Sequence, residues 1–106
     1  MISKSHPLLG LWLVQAPAEQ AEGGFLPLVG RSDAELLVLG FRDLLRARTC
    51  AAELDVENAR FQLVCQANLD GFDRQLRSLG VVGVTIDWDP SQTTLGELRE
   101  LDPATA

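Results

Sequence analysis

The chain has 106 residues, of which 46% are hydrophobic and 23% are charged, a composition typical of one small globular domain. Its net charge of −6 argues against nucleic acid and anionic membranes as partners, since both require clustered cations. No apolar run is long enough to span a membrane, and the start of the chain has no signal-peptide pattern. These features predict a single cytoplasmic domain over 1–106, with about 1–7 and 102–106 frayed.

The two cysteines, Cys50 and Cys65, have no CxxC spacing and no accompanying His/Cys cluster. This favours free thiols in a reducing compartment, with a disulfide as the alternative. All basic residues except Lys4 are arginine, which indicates the coding bias of a GC-rich, bacterial genome.

The first third of the chain predicts two strands. Leu8–Gln15 is apolar on both faces, which indicates an interior strand or a contact surface. A loop over Ala16–Gly24 leads to a second strand at Phe25–Val29. Pro27 cannot donate a hydrogen bond to a neighbouring strand, so this strand should lie at an edge or be interrupted there.

Ser32–Glu35 has the pattern of a capping box, in which the serine caps a helix and the glutamate lies at its third position. It predicts a helix from Ser32 to about Arg48, although the apolar run ELLVLGF leaves a strand as the alternative. The pattern of residues 49–59 is ambiguous. One interpretation is that they extend this helix and then turn through Asp55–Asn58.

The stretch Asn68–Pro90 carries the most consistent local signals. It follows an alternating strand at Phe61–Gln66, and Asn68 opens a helix with one apolar stripe. Gly80 ends that helix. An alternating strand then runs from Val81 to Trp88 and ends at Asp89-Pro90.

A second, weaker capping box at Thr94–Glu97 predicts a short C-terminal helix with Leu95, Leu98 and Leu101 spaced by three. The predicted order is β-β-α-β-α-β and a short helix. The expected fold is an α+β two-layer sandwich, with a four-stranded mixed sheet and both long helices on one face.

Asp87 and Asp89 are the weak candidates for a metal site, because two carboxylates at a strand end suit a divalent cation. Trp12 and Trp88 are candidates for a partner surface, with the core as the alternative. His6, the only histidine, is expected to be an exposed tail residue. The chain contains no GxSxG, GxxxxGK[ST] or HExxH motif, so no catalytic residue and no cofactor are predicted.

The run from Phe25 to Pro90 resembles the N-terminal domain of the SseB family. The resemblance rests on Phe25–Val29, on the Ser32–Glu35 helix start and on the strand Gly80–Asp87. The chain departs from the family where the strand ends, with Asp87-Trp88-Asp89-Pro90 in place of an Asn-Pro. The resemblance implies a small α/β domain of non-catalytic function and transfers no site residues.

The sequence therefore predicts a non-enzymatic interaction module that binds a protein partner or a second copy of itself. Two alternatives stay open. One is a metal-dependent enzyme or ligand binder centred on Asp87 and Asp89, and the other is an acidic inhibitor or immunity-type protein with a basic partner.

Overall fold

The computed structural model describes residues 6–19, 21–32, 34–89 and 96–101. Within them the chain forms two α-helices, α1 (Leu44–Glu53) and α2 (Leu69–Ser78). The strands are β1 (Trp12–Pro17), β2 (Phe25–Pro27), β3 (Val29–Ser32), β4 (Glu35–Phe41), β5 (Arg60–Leu63), β6 (Val81–Ile86) and β7 (Glu97–Glu100). The prediction of an α+β fold with two helices and a mixed sheet is confirmed, but the predicted four strands are wrong because the described sheet has seven.

The strands form one open sheet in the order β5-β1-β4-β6-β7, and among the described pairs of neighbouring strands only β4 and β6 are parallel. β2 and β3 form a nearly continuous segment that pairs first with β1 and then with β4. Between them Leu28 donates to the carbonyl of Val14 (2.8 Å) and accepts from the amide of Leu39 (3.1 Å). The predicted interruption next to Pro27 is therefore confirmed, and it is where this segment changes partners.

Two apolar clusters lie on opposite faces of the sheet. Neighbouring strand residues point to alternate faces, so Leu13 belongs to one cluster and Val14 to the other. The α2-side cluster contains Phe72 and Leu76, and it is closed by Leu8, Leu11 and Leu101. The α1-side cluster contains Val14, Leu39, Phe41, Ala47, Cys50 and Ala51.

The predicted two-layer arrangement, with both helices on one face, is wrong: the sheet lies between the helices. β4, β5 and β6 run in the same direction, since β1 is antiparallel to both β4 and β5. Helix α1 leads from β4 to β5 in one direction across the sheet, and α2 leads from β5 to β6 in the reverse direction. Two right-handed crossovers that run in opposite directions cover opposite faces.

The predicted helix from Ser32 to Arg48 is also wrong. Ser32 ends β3, and ELLVLGF forms β4, the alternative strand. Leu37 to Phe41 are all buried, because a central strand between two helix layers is covered on both faces. The helix begins only at Leu44, where the carboxylate of Asp43 accepts a hydrogen bond from the amide of Arg46 (2.8 Å).

The C-terminal prediction fails in the same way. Glu97–Glu100 forms β7, antiparallel to β6, instead of a helix. Thr94 and Leu95 lie outside the described residues. Gly96 lies so close to the carbonyl oxygen of Ile86 that a Cβ atom would overlap it, which explains a glycine immediately before β7.

The stretch from Asn68 to Ile86 matches its prediction. Asn68 precedes α2, although its side chain bonds to the backbone of Leu63 and Cys65 instead of the first helical turn. Gly80 ends the helix with φ of 87°, a conformation that glycine adopts without strain. Of the predicted apolar stripe, Phe72 and Leu76 are buried.

Three strand boundaries move. The strand that was predicted from Val81 to Trp88 ends at Ile86. The predicted strand Leu8–Gln15 begins as a turn and becomes β1 at Trp12, and the strand Phe61–Gln66 shortens to β5. β1 is an interior strand, so the apolar residues on both its faces belong to the core. Residues 1–5 and 102–106 lie outside the described part, and neither described helix has the length and apolarity to cross a lipid bilayer.

Candidate functional site

Asp87 lies directly after β6 and has a left-handed backbone conformation, with φ of 60°. Its amide donates to the carbonyl of Gly40 (2.9 Å). Its Oδ1 accepts from the amide of Arg42 (3.0 Å) and its Oδ2 from Nη1 of the same residue (3.0 Å). Because both oxygens are used, the carboxylate, only 16% exposed, fastens the end of β6 to the turn between β4 and α1.

A chain of charges continues from this contact to β7. Arg42 also pairs with Glu97, and Nε of Arg99 lies 2.9 Å from Oε2 of Glu97. The hydrogen bonds that Arg42 donates to Glu97 and Asp87 raise the pKa of Arg42, and the hydrogen bonds that Glu97 accepts from Arg99 and Arg42 lower the pKa of Glu97. Both groups therefore stay charged at neutral pH.

An open groove of about 450 Å³ lies between α1 and the end of β6. We call it the acidic groove; it is lined by Asp43, Leu45, Arg46, Thr49, Cys50, Glu53, Asp87, Trp88 and Asp89. Leu45 is 74% exposed, and Trp88 is half-buried against the α1-side cluster. Four carboxylates face this space together with the guanidinium of Arg46, so the lining carries a net negative charge.

Cys50 lies in this lining but is almost fully buried. Burial, with a smaller contribution from the charges of Glu53 and Asp89, raises the pKa of its thiol to about 11. The thiolate is the reactive form of cysteine, so Cys50 is protonated and unreactive at neutral pH. Both cysteines are free thiols, and Cys65 is exposed.

The candidate metal residues Asp87 and Asp89 both border the acidic groove, but Asp87 uses its two oxygens to bind Arg42. Nowhere in the described ranges do three or more His, Cys, Asp or Glu side chains converge as a metal site would require. The geometry thus gives Asp87 a structural contact in place of the proposed metal contact.

The remaining candidates lie elsewhere. Trp12 is half-buried in β1, opposite Phe41 and Leu63, and packs against the same cluster as Trp88. His6 is not the exposed tail residue that was expected: its Nε2 lies 3.1 Å from Oδ1 of Asp73 on α2, and both side chains are partly buried.

Sequence reasoning missed Arg42 and Leu45. Both lie within the long helix that was predicted from Ser32 to about Arg48. A signal was present in Asp43, which has the residue type of a helix cap and precedes Leu44. A helix that begins there turns Ala47, Cys50 and Ala51 toward the sheet and leaves Leu45 on the solvent side.

Comparison of the chain with models of known protein families gives no match, and comparison with curated proteins gives no similar sequence.

Proposed function

We propose that this protein is a small, non-catalytic interaction module of the cytoplasm that binds a protein partner in the acidic groove. The observation that carries the proposal is the position of a highly exposed leucine, Leu45, beside the half-buried indole of Trp88 in a concave surface. Tryptophan flanked by apolar side chains in a concavity is typical of the centre of a protein interface.

The chemistry of the groove supports one class of partner over others. Asp43, Glu53, Asp87 and Asp89 outnumber the cation Arg46, and the whole chain has a charge of −6. A partner segment with an apolar side chain next to Arg or Lys would bury Leu45 and pair with Glu53, since Asp87 already binds Arg42 and Asp43 already binds Arg46. Long-range attraction would then speed its association at low salt.

The alternatives fare differently. An inhibitor or immunity-type protein with a basic partner is a special case of this function, since it uses the same surface chemistry. No described contact favours the metal-dependent enzyme, because Arg42 occupies the carboxylate of Asp87. The resemblance to the SseB family stays a prediction and agrees with a non-catalytic role.

The proposal is tested by photo-crosslinking in the source cell. A benzophenone amino acid replaces Leu45 in one variant and Arg74, on α2 across the sheet, in the control variant. We expect a discrete crosslinked partner from position 45 and none from position 74. An identical pattern at both positions, or no crosslink at either, would contradict the proposal.

The identified partner then allows a quantitative measurement. Glu53→Gln and Leu45→Asp should each weaken its binding about tenfold or more, as loss of a central contact does. Glu53→Gln should also reduce the salt dependence of the association rate, whereas Arg74→Gln should change neither quantity. Equal effects of all three substitutions would place the binding site elsewhere.

A further inference from the structure

The outer edge of β7 presents backbone groups that no strand in the described ranges pairs with. In the antiparallel pair of β6 and β7 the amide of Leu101 donates to the carbonyl of Val82 (2.9 Å). Hydrogen-bonded pairs alternate along such a ladder, so Arg99 and Glu97 also bond toward β6. The backbone N–H and C=O groups of Leu98 and Glu100 therefore point away from the sheet.

The side chains of β7 divide between the two faces. Leu98 is 56% exposed and lies opposite Thr85, whose neighbour on β4 is Leu39 of the α1-side cluster. It thus projects on the α1 side of the sheet, but α1 packs over β1, β4 and β5. Glu97 and Arg99 share the other face, where they form an ion pair.

We infer that this edge binds a second copy of the chain, with β7 antiparallel to β7 and a two-fold axis at Leu98. In that register Leu98 of each copy donates to and accepts from Leu98 of the other copy. Glu97 then lies opposite Arg99 of the second copy, and Arg99 opposite its Glu97. The four charges alternate in sign around the axis, while the two exposed leucines meet on the opposite face.

The charge pattern selects this register. A two-fold axis at Arg99 also satisfies the outward-facing backbone groups, but it places the two Arg99 side chains directly opposite each other. Charged residues commonly protect an edge strand from pairing. In β7 two opposite charges, Glu97 and Arg99, flank Leu98. An identical antiparallel strand therefore places unlike charges opposite each other, and the charges do not prevent pairing. Four residues give a small contact, and we therefore expect a weak dimer.

The test is a charge exchange followed by sedimentation velocity over a range of concentrations. Arg99→Glu places Glu97 opposite a second glutamate, and Glu97→Arg places Arg99 opposite a second arginine. In each variant alone, the dissociation constant of the dimer should rise at least about tenfold above that of the wild type. The reason is that two attractive pairs become repulsive. An equimolar mixture should recover dimers, because every opposing pair is then attractive.

Arg48→Glu on α1 makes the same change in charge as Arg99→Glu and should leave dimerisation unchanged. Native-state hydrogen exchange of the wild type gives a second measurement. We expect the backbone amide of Leu98 to exchange more slowly as the protein concentration rises. A wild type that stays monomeric at millimolar concentration would overturn the inference. So would a mixture that dimerises no better than its two components.

Discussion

Asp87 has both an unusual backbone conformation and a contact with Arg42. In the sequence it is recognisable only as a carboxylate at the end of a strand. Its positive φ is a conformation that Asp and Asn adopt more readily than most residues. Its carboxylate also binds the backbone and the guanidinium of Arg42. A single residue thereby turns the chain out of β6 and fixes the start of α1.

Asp87→Ala should lower the free energy of unfolding by about 2 kcal/mol, since it removes two hydrogen bonds and leaves alanine in a left-handed conformation. Asp87→Asn should cost about half as much, because asparagine tolerates that conformation and still accepts the amide hydrogen bond. Urea titration measures both. Arg42→Ala is the control for the exposed ion pair and should cost much less than Asp87→Ala, because solvent screens an exposed pair. Equal losses for all three variants would show that the backbone contact contributes nothing.

The two cysteines should react at very different rates. Cys65 is exposed, whereas Cys50 is buried with a thiol pKa of about 11. We expect the native protein to react rapidly with one equivalent of a thiol reagent at pH 8, and the second thiol to react only on unfolding. A Cys65→Ser variant should then not react with the thiol reagent in the native state. Rapid reaction of that variant would mean that the α1-side cluster opens.

At the scale of elements, α2 and β6 were predictable because their local signals do not compete. The stripe, the Gly80 stop and the alternation after it all indicate the same structure. The segment after Ser32 was not predictable in this way, since the capping box and the apolar run ELLVLGF indicate different structures. β4 forms because it lies between β1 and β6 in a sheet that has a helix on each face. This position buries every residue from Leu37 to Phe41.

The contact between α2 and the turn before β1 should make stability depend on pH. Burial by itself would raise the pKa of Asp73, but hydrogen bonds from Arg77 and His6 outweigh it and hold the pKa below its usual 3.8. A carboxyl whose pKa is lower in the folded state stabilises the fold above its unfolded pKa. That contribution is lost as the pH falls through the folded pKa.

Asp73→Asn should therefore lower the free energy of unfolding by roughly 1 kcal/mol at neutral pH. It should also flatten the decline in stability from about pH 5 downward. Denaturant titration at a series of pH values measures this slope, and Asp70→Asn, on the exposed side of α2, is the matched control. An unchanged slope below pH 4 would contradict the assignment.

At the scale of the whole molecule, one sheet serves two cores. β1 and β4 contribute alternate residues to both clusters, so neither cluster can lose its packing without disturbing the other. Trp12 and Trp88 both pack on the α1 side, which makes fluorescence a reporter of that side alone.

Leu76→Ala, on the α2 side, should lower the free energy of unfolding by about 3 kcal/mol through the cavity it leaves. Because the strands are shared, it should shift the tryptophan fluorescence transition and the far-UV circular dichroism transition equally. Val14→Ala, on the α1 side, is the matched comparison and should also move both together. A fluorescence midpoint that stays in place in Leu76→Ala while dichroism shifts would mean that the two faces unfold separately.

The sequence by itself determined the fold class, the second helix, its glycine stop and the strand that follows. Those features depend on neighbours along the chain, through caps, backbone conformation and residue alternation. The tertiary structure decided that β4 and β7 are strands, that the helices lie on opposite faces and that Asp87 binds Arg42. These outcomes depend on which strands lie side by side, since only that arrangement determines which apolar runs are covered on both faces and which charges meet.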